Sequence, residues 1–342
     1  MQERCVLLVV VAVLLHMCNG LLLGSRSRYG SHHMHMSASL SSPPTTFIDC
    51  SRQAAIATRK CMEQGQVLME VEFPPLPLEY LEDSSSSARD IADANTRWAI
   101  EFAKSFTNRG QISIVYPDKP ELDDAIRYVD MKGGANPFPN ITLATIRSDS
   151  ISNAGSIDQI IGSIFGATVG GTVEGVPNTY MYIALVSSTQ ELTDLEKLHK
   201  INPKIPIIFF NLRLDFLRGD LGLPLFPGRE LHHRFLSTVK PSFLMRSRAF
   251  ATSLRKPPFI VNYSGLLYRT YPEPYQCILN TGNSKNKVVK ICNERPSNKE
   301  FRDALTESLI IPGVSKSELQ TTGNLVWWEK ETEKEISPAW RQ

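Results

Sequence analysis

Three polar residues each stand just beyond a predicted β-strand, where side chains can act on a ligand. Asp118, Asp149 and Asn211 each come within three residues of the end of a strand-like apolar run. In an open parallel sheet, ligands bind beyond the carboxyl ends of the strands, which lie at one edge. Two carboxylates and an amide there predict a small-molecule or nucleotide site. A simpler role also fits two of them: Asp118 as a helix N-cap and Asp149 as a turn residue.

The segment 205–234 places a dense set of charges after a predicted strand. It begins as an uncharged run, 205–210, and continues through glycines and prolines typical of a shaped loop. Its candidate partner- or ligand-binding residues are Asn211, Arg213, Asp215, Arg218, Asp220, Arg229 and Arg234. One interpretation is an ion-pair network that stiffens the loop. The other is a binding face of Arg218, Arg229 and Arg234, because guanidinium groups pair well with carboxylates and phosphates.

Four cysteines follow residue 48, and none of them forms the C-x-x-C spacing of a zinc site. Cys277 and Cys292 lie on two strand-like runs around the turn 282–286. If the connection is a four-residue loop, the two residues are directly opposite each other across a hairpin. The pair is then either a redox-sensitive disulfide or two reduced, half-buried thiols.

Motifs for the common catalytic chemistries are missing from the sequence. There is no G-x-x-x-x-G-K-[ST] phosphate loop and no G-x-S-x-G nucleophile elbow. His232 and His233 are adjacent, so on a helix they point roughly 100° apart and cannot hold one metal as an i, i+4 pair does. We therefore predict no catalytic residue, no metal and no cofactor, and favour recognition over catalysis.

Strand-like and helical patterns alternate along most of the chain. Strand-like runs occur at 67–73, 111–116, 141–146, 180–186 and 205–210. Helical patterns lie between them, including one at 156–166. From residue 242 four strand-like runs follow one another, and a capping box at Ser297 and Glu300 begins a last helix. The sequence predicts an α/β fold: a mostly parallel, doubly wound sheet with helices on both faces, extended by a C-terminal antiparallel meander.

The amino-terminal residues have the composition of targeting segments. A short apolar run followed by small residues suits a signal peptide, and the basic, serine-rich stretch after it suits a transit peptide. Together they predict delivery to the plastid of an alga with a complex plastid, and the alternative is a secretory signal with a linker. The predicted organisation is a signal peptide at 1–20, a transit peptide at 21–48, a single α/β domain at 49–313 and a polar tail at 314–342.

The charge balance argues against nucleic acid as a partner. The chain has 37 Lys and Arg and 35 Asp and Glu, of which residues 1–48 hold three basic residues and one acidic residue. The remainder is neutral, so it lacks the basic footprint of a nucleic-acid-binding protein. No apolar run of about 18 residues follows the leader, which predicts that there is no transmembrane helix.

Long stretches of the sequence resemble a known family. The matching text is WAIEFAKSF, ISIVYPDKPELDDA, NLRLDFLRGDLGLPLFPGRELHHRFLSTVKP, SFLMRSRAFATSLRKPPFIVNYSGLLYRTYPEPYQ and RPSNKEFRDAL, within about residues 50 to 312. These stretches resemble a plant and algal plastid family of unknown function that includes the low photosystem II accumulation protein of the type-three kind.

The resemblance implies a chloroplast protein, in the stroma or peripheral on the thylakoid membrane. It implies an accessory role in photosystem II assembly, with a photosystem II subunit or an assembly intermediate as the protein partner. Some plants fuse a similar domain to an adenylate kinase, which leaves a nucleotide connection open. The alternative function is a small-molecule or nucleotide-binding enzyme with its site at Asp118, Asp149 and Asn211.

Overall fold

A computed structural model of the chain describes residues 40–82, 86–132, 138–147, 172–282, 286–315, 319 and 323–342. The candidate residue Asp149 and the predicted helix at 156–166 lie outside these ranges. The predicted signal peptide and most of the predicted transit peptide also lie outside them.

Among the described residues, nine strands form one sheet. They are β1 Leu68–Glu72, β2 Gln111–Tyr116, β3 Ile141–Thr145, β4 Thr179–Ala184, β5 Ile207–Phe210, β6 Lys240–Ser253, β7 Ile260–Thr270, β8 Tyr275–Asn280 and β9 Asn286–Cys292. Their order is β3-β2-β4-β5-β1-β6-β7-β8-β9. Neighbours from β3 to β6 are parallel, and neighbours from β6 to β9 are antiparallel. The predicted parallel sheet with a C-terminal antiparallel meander is confirmed.

Several of the helices begin at a polar residue whose side chain accepts a hydrogen bond from one of the first amide groups. They are α1 Phe47–Glu63, α2 Leu78–Glu82, α3 Ala88–Lys104, α4 Lys119–Met131, α5 Leu192–Ile201, α6 Leu214–Asp220, α7 Glu230–Arg234, α8 Asn298–Glu307 and α9 Trp327–Lys330. Ser87 caps α3 and Ser297 caps α8 through reciprocal capping boxes. The box at Ser297 was predicted from the sequence.

The two faces of the sheet bury different apolar clusters. Successive side chains of a strand point to opposite faces. Met69 and Val71 of β1 therefore pack with α1, α3 and α4, whereas Leu68 packs with α5, α6 and α7. A third cluster lies between α8 and strands β6 to β8. The face that carries Leu68 also carries Glu70 and Glu72, and both are buried.

Candidate functional site

A group of six buried charges lies near the carboxyl ends of β1 and β5, on the face that carries Leu68. We call it the ion cluster; its members are Glu70, Glu72, Asp215, Arg218, Arg246 and Arg295. Three carboxylates face three guanidinium groups, so the cluster is neutral as a whole. Buried charges are tolerated when each is paired and hydrogen-bonded.

Arg246 and Arg295 connect the carboxylates of β1 to Asp215. Arg246 binds Glu72 in a fork, with Nε to Oε1 at 2.6 Å and Nη2 to Oε2 at 2.5 Å. Its Nη1 also donates to Asp215. Arg295 donates to Oε2 of Glu70 at 3.0 Å and to Oδ2 of Asp215 at 3.1 Å. Paired guanidinium and carboxylate groups of this kind form the strongest side-chain hydrogen bonds.

Local structure explains how the sequence places these groups. Glu70 and Glu72 are two residues apart on a strand and share a face. Asp215 and Arg218 are three residues apart on α6, so they are neighbours on its surface, with Nη1 and Oδ1 2.8 Å apart. Arg246 lies on β6, two residues beyond the last residue of that strand paired with β1.

The arginines keep Asp215 and Glu72 ionised. Burial alone would raise the pKa of Asp215, but the charges of Arg246, Arg295 and Arg218 outweigh it and hold the pKa far below its ordinary value. Burial likewise opposes ionisation of Glu72, and Arg246 lowers its pKa in spite of that. Asp215 and Glu72 are therefore fixed charges at neutral pH and are not suited to exchange protons.

Residues 323–342, which we call the C-terminal segment, cover the ion cluster. The ring of Trp340 lies 4.6 Å from the guanidinium carbon of Arg218 and 5.9 Å from that of Arg295. The backbone nitrogen of Arg295 donates to the carbonyl of Arg341 at 2.6 Å, and that of Trp340 donates to the carbonyl of Ser237 at 3.2 Å. The cluster is thus closed off from solvent by the chain itself.

His232 and His233 contact the same segment. His232 Nε2 lies 3.0 Å from Oε1 of Glu335, and its ring packs edge-on against Trp327 and Trp340. The backbone nitrogen of Ile336 donates to the carbonyl of His233 at 3.0 Å. Burial lowers the pKa of His232 to about 4. His232 is therefore neutral at physiological pH and acts as a packing residue.

Arg218, Arg229 and Arg234 do not form a common guanidinium face. Arg218 is fully buried in the ion cluster. Arg229 donates to Glu331 at 3.3 Å and lies over Trp327, whereas Arg234 binds Glu196 through two bonds of 2.8 and 2.9 Å. The three residues have acidic partners on different elements, which is the pattern that the network interpretation expects.

Of the three strand-end residues, the two that the structure describes, Asp118 and Asn211, do not come together. Asp118 accepts a bond from the backbone of Glu121 at 3.0 Å and caps α4. Asn211 accepts from the backbone of Phe73 and donates to Asn95, both at 2.9 Å. Their strands, β2 and β5, are separated by β4, a spacing of roughly 10 Å. Each side chain is therefore engaged locally.

Two further candidates lie at the ends of α6. Arg213 is exposed, with its guanidinium carbon 4.3 Å from the ring centre of Phe216. Asp220 accepts a hydrogen bond from the hydroxyl of Thr189 at 3.0 Å. Arg213 therefore belongs to the surface, whereas Asp220 holds the end of α6 to the loop before α5.

The two cysteines of the β8–β9 hairpin are free thiols and are not directly opposite each other. Cys277 faces Lys290 across the hairpin, and Cys292 faces Tyr275. The register that would place Cys277 opposite Cys292 is not formed, because the connection is longer than four residues and the strands carry a bulge next to Cys277. Burial, together with the neighbouring Cys292, raises the pKa of Cys277 to about 12.

A set of exposed apolar side chains, which we call the apolar surface, lies on α6 and the loop after it and was not predicted. Its members are Phe216, Leu223, Leu225 and Phe226, of which Leu225 is 65% exposed. A backbone bond of 2.8 Å from Gly222 to Pro227 closes the loop, and Leu225 has a φ of +71°, which costs energy for a branched residue. The sequence carried a signal for this exposure. Residues between the glycines and prolines of a surface loop are usually polar, whereas here they are Leu223, Leu225 and Phe226.

A match to a known protein family covers all nine strands of the sheet. A family described as Domain of unknown function (DUF1995) matches residues 44–303. The chain belongs to the DUF1995 family. All six members of the ion cluster lie in the matched range, whereas the C-terminal segment that covers them lies beyond it. The chain has no match among curated proteins or among solved structures.

Two further features of the DUF1995 chain concern metal binding and membrane spanning. In the part that the structure describes, no group of three His, Cys, Asp or Glu side chains is placed to hold a metal ion. None of the helices in that part is long and apolar enough to cross a bilayer.

Proposed function

We propose that this DUF1995 protein is a plastid accessory protein that assists photosystem II assembly by binding a protein partner. The observation that carries the proposal is the exposed apolar surface of Phe216, Leu223, Leu225 and Phe226. Several large apolar side chains exposed on one short segment favour an interaction site, because exposing them to water costs free energy. The sequence resemblance to the photosystem II accumulation family supplies the cellular role.

The charges beside this surface indicate the chemistry of the partner. Arg213 and Arg248 both lie over the ring of Phe216, at 4.3 and 5.2 Å from its centre. Neither has an ion-pair partner among the residues described. A partner segment with apolar side chains and a nearby carboxylate would bury the ring and pair with these guanidinium groups.

The small-molecule alternative has weaker support. Its candidate residues Asp118 and Asn211 already bond to neighbouring groups and lie on strands that are not adjacent. The ion cluster is closed by the C-terminal segment, and its charges compensate one another. A recognition role therefore accounts for more of the geometry than a catalytic one.

The test replaces exposed residues that leave the core intact. We expect the tagged full chain, purified from plastids, to retain photosystem II subunits, and Leu225→Ser with Phe226→Ser to lower their yield at least tenfold, since interface anchors contribute about 2 kcal/mol each. The matched control is Ile310→Ser, because Ile310 is 91% exposed elsewhere. Equal yields from the variant and the control, or a parent chain that retains no photosystem II subunit, would refute the proposal.

A further inference from the structure

Part of the β6–β7 hairpin projects beyond the rest of the sheet. β6 pairs with β1 only as far as Leu244, and β7 pairs with β8 only from Gly265 onward. Between those points and the turn, the two strands pair with each other. Phe250 and Tyr263 are the last side chains held by α8, through a ring contact with Phe301 and a 2.6 Å bond to Thr306. The remaining ribbon and its turn extend past this support.

The turn of this hairpin, which we call the hairpin tip, combines apolar and basic side chains. Its residues 255–260 read Arg-Lys-Pro-Pro-Phe-Ile. Phe259 is 57% exposed and Ile260 is 61% exposed. Backbone bonds from Leu254 to Phe259 and from Phe259 to Lys256 hold the turn closed. Arg255 and Lys256 are exposed and make no ion pair in the described part of the chain.

We infer that the hairpin tip inserts into the surface of an anionic lipid bilayer. Aromatic and branched side chains enter the boundary between headgroups and acyl chains, and flanking basic side chains pair with lipid phosphates. Arg255 and Lys256 lie in the same turn as the apolar pair and are separated from it by two prolines, so the charges are placed at headgroup depth when Phe259 and Ile260 enter. The unpaired cations favour an anionic lipid surface over an apolar protein surface.

The direction of the ribbon agrees with this role. β6 runs parallel to β1 and β5, so the hairpin tip points from the same edge of the sheet at which α6 begins. Phe216 of α6 contacts Arg248 of β6 near the base of the ribbon. A molecule anchored through the hairpin tip would hold that edge toward the membrane. The inference does not depend on the proposed partner surface, because the two use different residues.

The deciding experiment reads the depth of the hairpin tip itself. Full chains carrying Phe259→Trp or, as the matched control, Ile310→Trp are mixed with vesicles of phosphatidylcholine and about one-third phosphatidylglycerol, containing brominated lipid. We expect bromine to quench the added fluorescence of the residue-259 variant and not that of the control, with the parent chain as background. The apolar run near the amino terminus is common to all chains, so it cannot produce this difference.

A second measurement tests the charges. Arg255→Gln with Lys256→Gln should weaken binding of the residue-259 variant to the anionic vesicles, by roughly fivefold for each charge removed, and leave binding to phosphatidylcholine vesicles unchanged. Equal quenching of the two tryptophan variants would overturn the inference. Self-association of the chain that Ile260→Ser abolishes, without quenching, would instead assign the hairpin tip to contact with a second copy. The Leu225→Ser and Phe226→Ser variant should keep its lipid binding, which separates this test from that of the partner surface.

Discussion

Asp215 is the residue that unites the ion cluster. Its two oxygens accept bonds from Arg218, Arg246 and Arg295, which belong to α6, β6 and the loop before α8. Removing a carboxylate from water costs several kcal/mol, so a single guanidinium partner with imperfect geometry would not offset the cost. Three partners do so, and in binding them Asp215 connects segments that are far apart in the chain.

Replacing Arg246 by Met should show how strongly the folded state depends on the cluster. We expect the free energy of unfolding to fall by about 3–5 kcal/mol, because Glu72 and Asp215 are left as buried charges without their main partner. Urea denaturation followed by circular dichroism measures it. The control is Arg52→Met, since Arg52 is 69% exposed and pairs with Asp49 at the surface; it should cost less than about 1 kcal/mol. Equal losses would contradict the assignment.

The sequence could predict only the local part of this cluster. Asp215 and Arg218 are three residues apart, and their pairing follows from helical geometry. Glu72 and Arg246 are 174 residues apart, and no spacing rule connects them. Glutamates on an alternating strand usually face water. Here α6 and the C-terminal segment cover that side of β1, so only the assembled fold reveals that Glu70 and Glu72 are buried.

At the scale of elements, the C-terminal segment shows how composition can conceal packing. Its charged residues predicted a polar tail, yet Trp328 and Trp340 are buried. Charged residues of the segment bind the domain beneath: Glu331 forms an ion pair with Arg229, and Glu335 lies within hydrogen-bond distance of neutral His232. A segment of this kind has no clear periodicity, so neither a helical nor a strand pattern marks it.

Replacing Trp340 by Ala should therefore destabilise the domain rather than release a free tail. We expect the free energy of unfolding to fall by about 3–5 kcal/mol, through the lost burial of a large ring and the exposure of the charges under it. The matched control is Ile336→Ala, since Ile336 is in the same segment but exposed, and it should change stability by less than about 0.5 kcal/mol. Unchanged urea midpoints for Trp340→Ala would indicate that the segment is not part of the cooperative fold.

Strands and helices were predicted well where the pattern is strong, and poorly where register decides. The uncharged run at 205–210 follows an alternation of strand-like and helical patterns. That combination predicts a parallel α/β unit. Register depends on loop length and bulges, which explains why the expected alignment of Cys277 with Cys292 fails. Ser188 and Glu191 have the spacing of a capping box, but the helix after them begins at Leu192 and has no side-chain cap; Ser188 donates its backbone amide to Glu191.

At the scale of the molecule, the ion cluster and the two proposed binding features lie at one edge of the parallel sheet. The ion cluster lies near the ends of β1 and β5, α6 begins just beyond β5, and the hairpin tip extends from β6 in the same direction. Open α/β sheets bind ligands at the carboxyl ends of their strands. The arrangement of the strands therefore already indicates this edge as the place for a binding site. The apolar character of the surface at this edge could not be predicted, because Leu223, Leu225 and Phe226 lie in a loop whose exposure only the fold determines.

Acid should destabilise the whole molecule in two ranges of pH. Buried His232, which faces Glu335, Arg218 and His233, has its pKa lowered from 6.5 to about 4. Between these values an unfolded chain binds a proton that the folded chain does not, so stability falls as the pH falls. Glu72 and Asp215 have lowered pKa values in the fold, so their contribution is present above the ordinary carboxyl range and is lost below it.

The first range can be assigned to His232 by substitution. At about pH 4 its share of the loss amounts to roughly 3 kcal/mol, since each unit of pKa shift corresponds to about 1.4 kcal/mol. Urea unfolding of the parent and of His232→Gln, at several values from about pH 7 to about pH 4.5, compares the two slopes. Glutamine can still bond to Glu335 but binds no proton, so the slope of the variant should be flatter. Parallel slopes would place the acid sensitivity elsewhere, in the carboxylates of the ion cluster alone.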